Sequence, residues 1–179
     1  MKRNIALSGR SGSGKTTTAQ FLAAEYGYHI ARTGSLCRWV SRELFQSESK
    51  TVMNLVTDAM REIDPTVWLR GALRGAPEDR CVVFDSMRFL SDYEYLREQG
   101  FELWRVEAPL NTCVMRLRAR SQLFKLGIDD VHPTECEVAM KNYKHILDNS
   151  RDGTESLFSQ IRRAFAGAEP VGSARLEGC

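Results

Sequence analysis

No apolar run in the 179 residues approaches the ~18 needed to cross a bilayer as a helix, which excludes a spanning helical segment. Cysteine is scarce and scattered. Cys37, Cys81, Cys113, Cys136 and Cys179 are odd in number and form no Cys-x-x-Cys pair, which excludes a disulfide framework. No signal-peptide pattern precedes the first apolar stretch, so free thiols in a reducing cytoplasm are the expectation. Three histidines, His29, His132 and His145, have no zinc-ligand spacing, and no structural metal is expected. Charge of one sign is lacking too: 25 Lys and Arg stand against 23 Asp and Glu, a balance of +2, too even for a protein whose main task is to coat nucleic acid. There is no internal repeat.

What charge there is has a bias. The cations are 19 arginines and only 6 lysines, and arginine is the planar fork that grips phosphate through two parallel hydrogen bonds. With 42% apolar and 27% charged residues the chain is globular, and a domain of this length buries about 70% of the surface its unfolded chain exposes. One domain over residues 1–166 is expected. Residues 167–179, rich in Gly, Ala, Ser and Glu without a period, read as a disordered tail.

The apolar pattern alternates short runs with amphipathic stretches. Ile5 to Leu7 reads as a buried strand, followed by a glycine-rich loop and a helix carrying Ala19, Leu22, Ala23 and Tyr26 on one face, with Gly27 as its stop. A strand from Tyr28 to Ala31 and a mostly helical stretch from Ser35 to Leu73 follow, broken once at Asp64-Pro65. Val82 to Phe84 reads as a strand covered on both faces. The next helix is expected to start at Ser91 as N-cap with Glu94 completing a capping box, Leu90 and Tyr95 as staple, and Gly100 as terminator. A strand over Phe101 to Val106, a helix marked by Leu110, Val114 and Leu117, a strand at His145 to Leu147 and a helix from about Thr154 complete the chain. Five such alternations predict an α/β fold, a three-layer sandwich in which helices cover both faces of a five-stranded parallel sheet.

Gly9-Arg10-Ser11-Gly12-Ser13-Gly14-Lys15-Thr16 matches G-x-x-x-x-G-K-[ST], the phosphate-binding P-loop, which average residue frequencies produce in roughly 1% of chains this long. It stands where the mechanism requires, after a buried strand and at a helix N-terminus, where backbone N–H groups and the positive dipole end favour an anion. Gly9, Gly12 and Gly14 let the backbone fold round phosphate oxygens, with Ser11, Ser13 and Thr17 completing the cradle. Lys15 is placed for the β- and γ-phosphates and the Thr16 hydroxyl for Mg²⁺. ATP and Mg²⁺ are therefore the expected cofactors. No N-K-x-D guanine-reading motif is present, and the length leaves little room for the oligomer-forming elements of ring or transporter ATPases. A small kinase is the class that remains.

At the end of the second strand, His29-Ile30-Ala31-Arg32-Thr33-Gly34-Ser35-Leu36-Cys37-Arg38 resembles the I-S-T-G-D-L-L-R stretch of the adenylate-kinase-like proteins. The resemblance implies contacts from Thr33 and Arg38 to the acceptor nucleotide. Arg32 stands for the family's Ser and Ser35 for its Asp, departures that point away from AMP. Val83 to Phe89, with Asp85 and Arg88, is similar to the D-x-x-R stretch of the phage-type deoxynucleoside monophosphate kinases. His132-Pro133-Thr134-Glu135 and Asp148 to Thr154 resemble later stretches of that group. By this resemblance the chain belongs with the P-loop nucleoside and nucleotide kinases.

Ligands of open parallel sheets lie beyond the carboxyl ends of the strands, so the loop, Thr33 and Asp85 should converge on one crevice. Asp85 could ligate Mg²⁺ or accept the proton of an attacking hydroxyl, and Arg88 is near enough to grip an acceptor phosphate. Arg116 and Arg120, four apart on one helix face, are candidates to follow the migrating phosphoryl group, under a mobile lid over about residues 118–137. The loop from Asn149 to Gly153 is a candidate for holding the donor adenine. The expected function is transfer of the γ-phosphoryl group of ATP to a (deoxy)nucleoside monophosphate, a modified base included. The alternatives are an alcohol acceptor with Asp85 as general base, the acceptor being a hydroxymethyl-pyrimidine nucleotide or DNA base or dephospho-coenzyme A, and a nucleotide-binding regulator without transfer chemistry. Nucleic acid is expected as partner only in that modified-base case, membrane not at all, and the chain is expected as a monomer or homodimer.

Overall fold

The computed structural model describes residues 3–121 and 137–167. Most of the expected lid and the tail after Gly167 lie outside them. Five strands, β1 (Ile5–Ser8), β2 (His29–Ala31), β3 (Val82–Phe84), β4 (Glu102–Glu107) and β5 (His145–Asp148), form one parallel sheet in the order β2-β3-β1-β4-β5. The described helices are α1 (Lys15–Tyr26), α2 (Thr33–Phe45), α3 (Lys50–Ile63), α4 (Val67–Arg74), α5 (Leu90–Glu98), α6 (Leu110–Ala119) and α7 (Glu155–Phe165). Their connections place helices on both faces of the sheet, and no described helix is long and apolar enough to cross a membrane.

The two-residue period of a strand explains the layers. Ile5 and Leu7 face one way and, with Val83, Trp104, Val106 and Leu147, pack on Phe21 and Leu22 of α1 and Leu157 and Ile161 of α7. Ala6 faces the other way and joins Phe84 and Leu103 against Leu69 of α4 and Tyr93 and Leu96 of α5. A third cluster, Cys37, Val56 and Trp68, ties α2, α3 and α4 to one another. The centre of the sheet is β1, so the loop that follows it emerges from the middle of the molecule. β3, expected to be covered on both faces, is buried and interior, between β2 and β1.

Two local expectations are corrected. The helical stretch before Leu73 breaks twice, because Gln46 turns left-handed (φ 49°) after α2 and Ser49 caps α3 by accepting the Val52 amide at 3.3 Å. α5 starts before Ser91: its N-cap is Phe89, and the reach-back carboxylate is Asp92, not Glu94. Asp92 is buried and accepts from the amides of Phe89 (3.4 Å) and Arg88 (3.5 Å), a service that exposed Glu94 does not supply. Gly100 follows the helix with φ 74°, as expected of a terminator.

Candidate active site

β1 delivers the chain into the glycine-rich loop, and neighbours on both sides press on it. Gly9 has φ 136°, and a Cβ there would fall on the Val106 carbonyl oxygen of β4. Gly12 has φ 82°, and its Cβ would lie 2.6 Å from the carbonyl oxygen of Cys113 in α6. Gly14, the N-cap of α1, has φ 113°, and its Cβ would strike the Asn149 amide nitrogen. All three conformations are those that only glycine adopts without strain. The packing adds a second reason, since backbone or a buried amide fills the space.

Inside this ring Lys15 is 7% exposed, and its Nζ donates to the carbonyls of Gly9 (2.6 Å) and Arg10 (2.9 Å), which folds the ammonium across the loop. Thr16 is exposed in the first turn of α1, Thr17 is half-buried, and buried Thr18 donates back to the Gly14 carbonyl at 3.1 Å. The buried Ser13 hydroxyl has no hydrogen-bond partner among the described residues, an orphan in the wall of the loop.

Asn149 is not among the loop residues expected from the motif, though it falls in the stretch assigned to the adenine. It is buried at the end of β5, and its Nδ2 donates to the Ser13 carbonyl at 2.7 Å, which stitches the loop to the far side of the sheet. Asn149→Ala leaves a buried carbonyl without its donor, at a cost of about 1–3 kcal/mol. A melting temperature lower by about 5 °C, with weaker binding of a non-hydrolysable ATP analogue, is the expected result.

Two arginines approach the loop from different elements. Arg88, beyond β3, brings Nη1 to 3.4 Å from the Ser11 hydroxyl. Arg116 lies one turn along α6 from Cys113, whose backbone abuts Gly12. One terminal nitrogen of Arg116 donates to the Arg151 carbonyl at 3.3 Å, and the other is buried with no hydrogen-bond partner among the described residues. Arg120 is exposed at the C-cap of α6. Thr33 opens α2 directly after β2. Arg38, further along α2, is exposed and faces exposed Glu48 at 3.5 Å. The geometry thus gathers Ser11, Lys15 and Arg88 at the loop, with the base of Arg116 packed beside it, while the described contacts of Arg38 lead elsewhere.

Asp85 leaves β3 with its side chain 7% exposed, accepting from Arg32 Nε at 3.0 Å and from the Ser86 hydroxyl at 2.9 Å. Arg32, at the position where the resembling family has Ser, supplies this partner.

Arg88 is held from behind by Asp92, whose carboxyl is pushed up to about 6 by burial, against the opposing charge of Arg61 and the two amide bonds. Glu137 adds a like charge that works with burial. The carboxyl is raised on folding, so the stability it contributes is fully present below about pH 4 and is lost as pH rises through 6. A carboxyl that titrates near 4 in the unfolded chain and near 6 in the folded one makes that loss up to about 3 kcal/mol. Asp92→Asn removes the ionisation. The melting temperature of the wild type relative to the variant is expected to rise as pH falls from 8 to 4, and a gap independent of pH would contradict this.

No protein-family model matches the chain, and no curated protein matches it. Solved structures do. Among them, a shikimate kinase from Acinetobacter baumannii in complex with shikimate has a TM-score of 0.59 at 14% identity, over 92% of this chain and 93% of that one. The Deinococcus radiodurans tunicamycin resistance protein has a TM-score of 0.56 at 22% identity, over 95% and 99%. An APS kinase from Mycobacterium tuberculosis, in complex with AMPPNP and APS, has a TM-score of 0.51 at 18% identity, over 93% and 98%. At these identities the likeness is one of fold, and the fold is that of the P-loop kinases.

Proposed function

We propose that the protein is an ATP-dependent phosphotransferase whose acceptor is a (deoxy)nucleoside monophosphate. The observation that carries the reading is the meeting of Arg88, from the acceptor side of the sheet, with Ser11 of the glycine loop at 3.4 Å. An acceptor phosphate held by Arg88 would lie next to the terminal phosphate of the donor. The buried nitrogen of Arg116 and hydroxyl of Ser13, both without a hydrogen-bond partner among the described residues, add support, because an anion at the loop would satisfy such groups. A fold neighbour in complex with AMPPNP supports ATP as the donor.

The chemistry needs positioning and charge neutralisation. An ionised oxygen of the acceptor phosphate attacks the γ-phosphorus, the bond from that phosphorus to the bridging oxygen breaks, and ADP leaves. No proton has to be removed. Lys15 and the arginines stabilise the charge spread over the moving group. Magnesium suits the site at the Thr16 hydroxyl, an exposed oxygen ligand in the first turn of α1, and would neutralise phosphate charge when bound.

The neighbour bound to shikimate, a compound that offers hydroxyl groups, favours a second reading in which an alcohol is phosphorylated and Asp85 takes its proton. Incubation with γ-labelled ATP, Mg²⁺ and a panel of nucleoside monophosphates, hydroxymethyl nucleotides, dephospho-coenzyme A and shikimate separates the two. Labelled nucleoside diphosphate is the expected product, and label found only in alcohol acceptors would replace the first reading with the second.

A further inference from the structure

β2 and β3 end side by side, with Ala31 opposite Phe84, so Arg32 and Asp85 leave the sheet as neighbours. The Asp85 amide donates to the Ala31 carbonyl at 3.4 Å, which keeps the two chain segments together one step past the ladder. Above them the side chains lock. Arg32 Nε takes one carboxylate oxygen of Asp85 at 3.0 Å, and the Ser86 hydroxyl takes the other at 2.9 Å.

The two partners differ in exposure. The Asp85 side chain is 7% exposed, whereas that of Arg32 is 39% exposed and lies over it. A carboxylate with both oxygens engaged and a cation covering it is poorly placed to meet a substrate hydroxyl or a metal ion. The guanidinium is well placed to meet an anion. It uses Nε on Asp85, and no bond from its two terminal nitrogens is found among the described residues. Those two nitrogens form the planar fork that matches two oxygens of a phosphate monoester.

The sheet order gives the fork its place relative to the donor. β2 is separated from β1 by β3, so Arg32 stands about 10 Å, two strand spacings, from the strand that carries the glycine loop. Between them, after β3, comes Arg88, which touches the loop at Ser11. A span of that size lets one acceptor phosphate lie between the two arginines, with Arg88 on the side of the donor's terminal phosphate and the Arg32 fork on the side away from it.

We propose that Arg32 selects the acceptor by binding its phosphate monoester, and that Asp85 is a positioning residue that holds this guanidinium, neither the proton acceptor nor a metal ligand. The proposal deepens the phosphotransferase reading and rests on it. Arg32 occurs where the resembling family has Ser, so it makes acceptor recognition in this chain depend on a side chain that family's motif does not contain.

The test uses the full chain saturated with Mg²⁺ and AMPPNP, titrated calorimetrically with four deoxynucleoside monophosphates and with the matching nucleosides. The wild type is expected to bind at least one monophosphate tenfold or more tightly than its nucleoside. Arg32→Gln should abolish that preference while changing AMPPNP affinity less than twofold, and Arg32→Lys should retain part of it. Asp85→Asn should weaken the preference, and adding it to Arg32→Gln should cause no further loss, since Asp85 acts through Arg32. In turnover both single variants should raise the acceptor KM tenfold or more with kcat changed only a few-fold.

The proposal is overturned if the wild type shows no preference, including the case where no probe binds. It also fails if the preference survives Arg32→Gln. A fall in kcat on Asp85→Asn at unchanged acceptor KM, persisting in the Arg32→Gln background, would assign Asp85 to proton transfer or metal binding instead. Because Arg32 is a partly exposed side chain, Arg32→Gln keeps the test decisive should Asp85→Asn fail to fold. Intact Arg32-dependent binding with no labelled product from any acceptor would defeat the phosphotransferase reading alone.

Discussion

Lys15→Met is expected to slow phosphoryl transfer by about 10²–10³-fold, the loss typical of removing one preorganised charge from the transition state. Lys15 is 7% exposed and its ammonium lies across the loop, 2.6 Å from the Gly9 carbonyl and 2.9 Å from that of Arg10. Charge held in so enclosed a place acts at low effective dielectric, which is why its removal costs far more than the loss of a surface lysine. Methionine keeps the unbranched stem and a good helix propensity at the first residue of α1, so the fold should persist. The comparison is single-turnover transfer from γ-labelled ATP, with melting temperature as control. A variant that melts normally and transfers at the wild-type rate would remove the loop from the chemistry.

Gly9→Ala is expected to be the most damaging small substitution, lowering stability by about 4 kcal/mol and the melting temperature by about 10 °C. Two costs combine: an L-residue is strained at φ 136°, and the new methyl would fall on the backbone carbonyl of Val106 in β4, an interior strand that cannot yield without breaking its pairing with β1. Gly153 supplies the control. It too has positive φ, 78°, but nothing lies within 4 Å of where its Cβ would be. Gly153→Ala should therefore cost only the left-handed strain, about 1 kcal/mol. Thermal denaturation of the two variants separates conformation from collision, and equal losses would show that packing at Gly9 contributes nothing.

The elements and the loop can be read from sequence because their signals are local. Ile5 to Leu7, Val82 to Phe84 and the spacing of Gly9, Gly14 and Lys15 each state their own conformation within a few residues. The partner relations cannot be read this way. Nothing near Arg32 announces that its guanidinium will cover Asp85, 53 positions away, since that pairing follows from β2 and β3 becoming neighbours in the sheet. Arg38 illustrates the reverse case. A family pattern gives its place in the helix, but the described contact of its side chain is to Glu48, in a turn the periodicity does not reveal. The start of α5 escapes the sequence for a similar reason: Ser91 and Glu94 have the right spacing, but burial selects Asp92.

The stitch from Asn149 to Ser13 spans 136 positions of sequence. During synthesis, a chain that has emerged only through residue 148 already carries the entire glycine motif but lacks the amide that fastens it. A growing chain should therefore hold a nucleotide at this loop only weakly until β5 arrives and the Asn149 amide closes on Ser13.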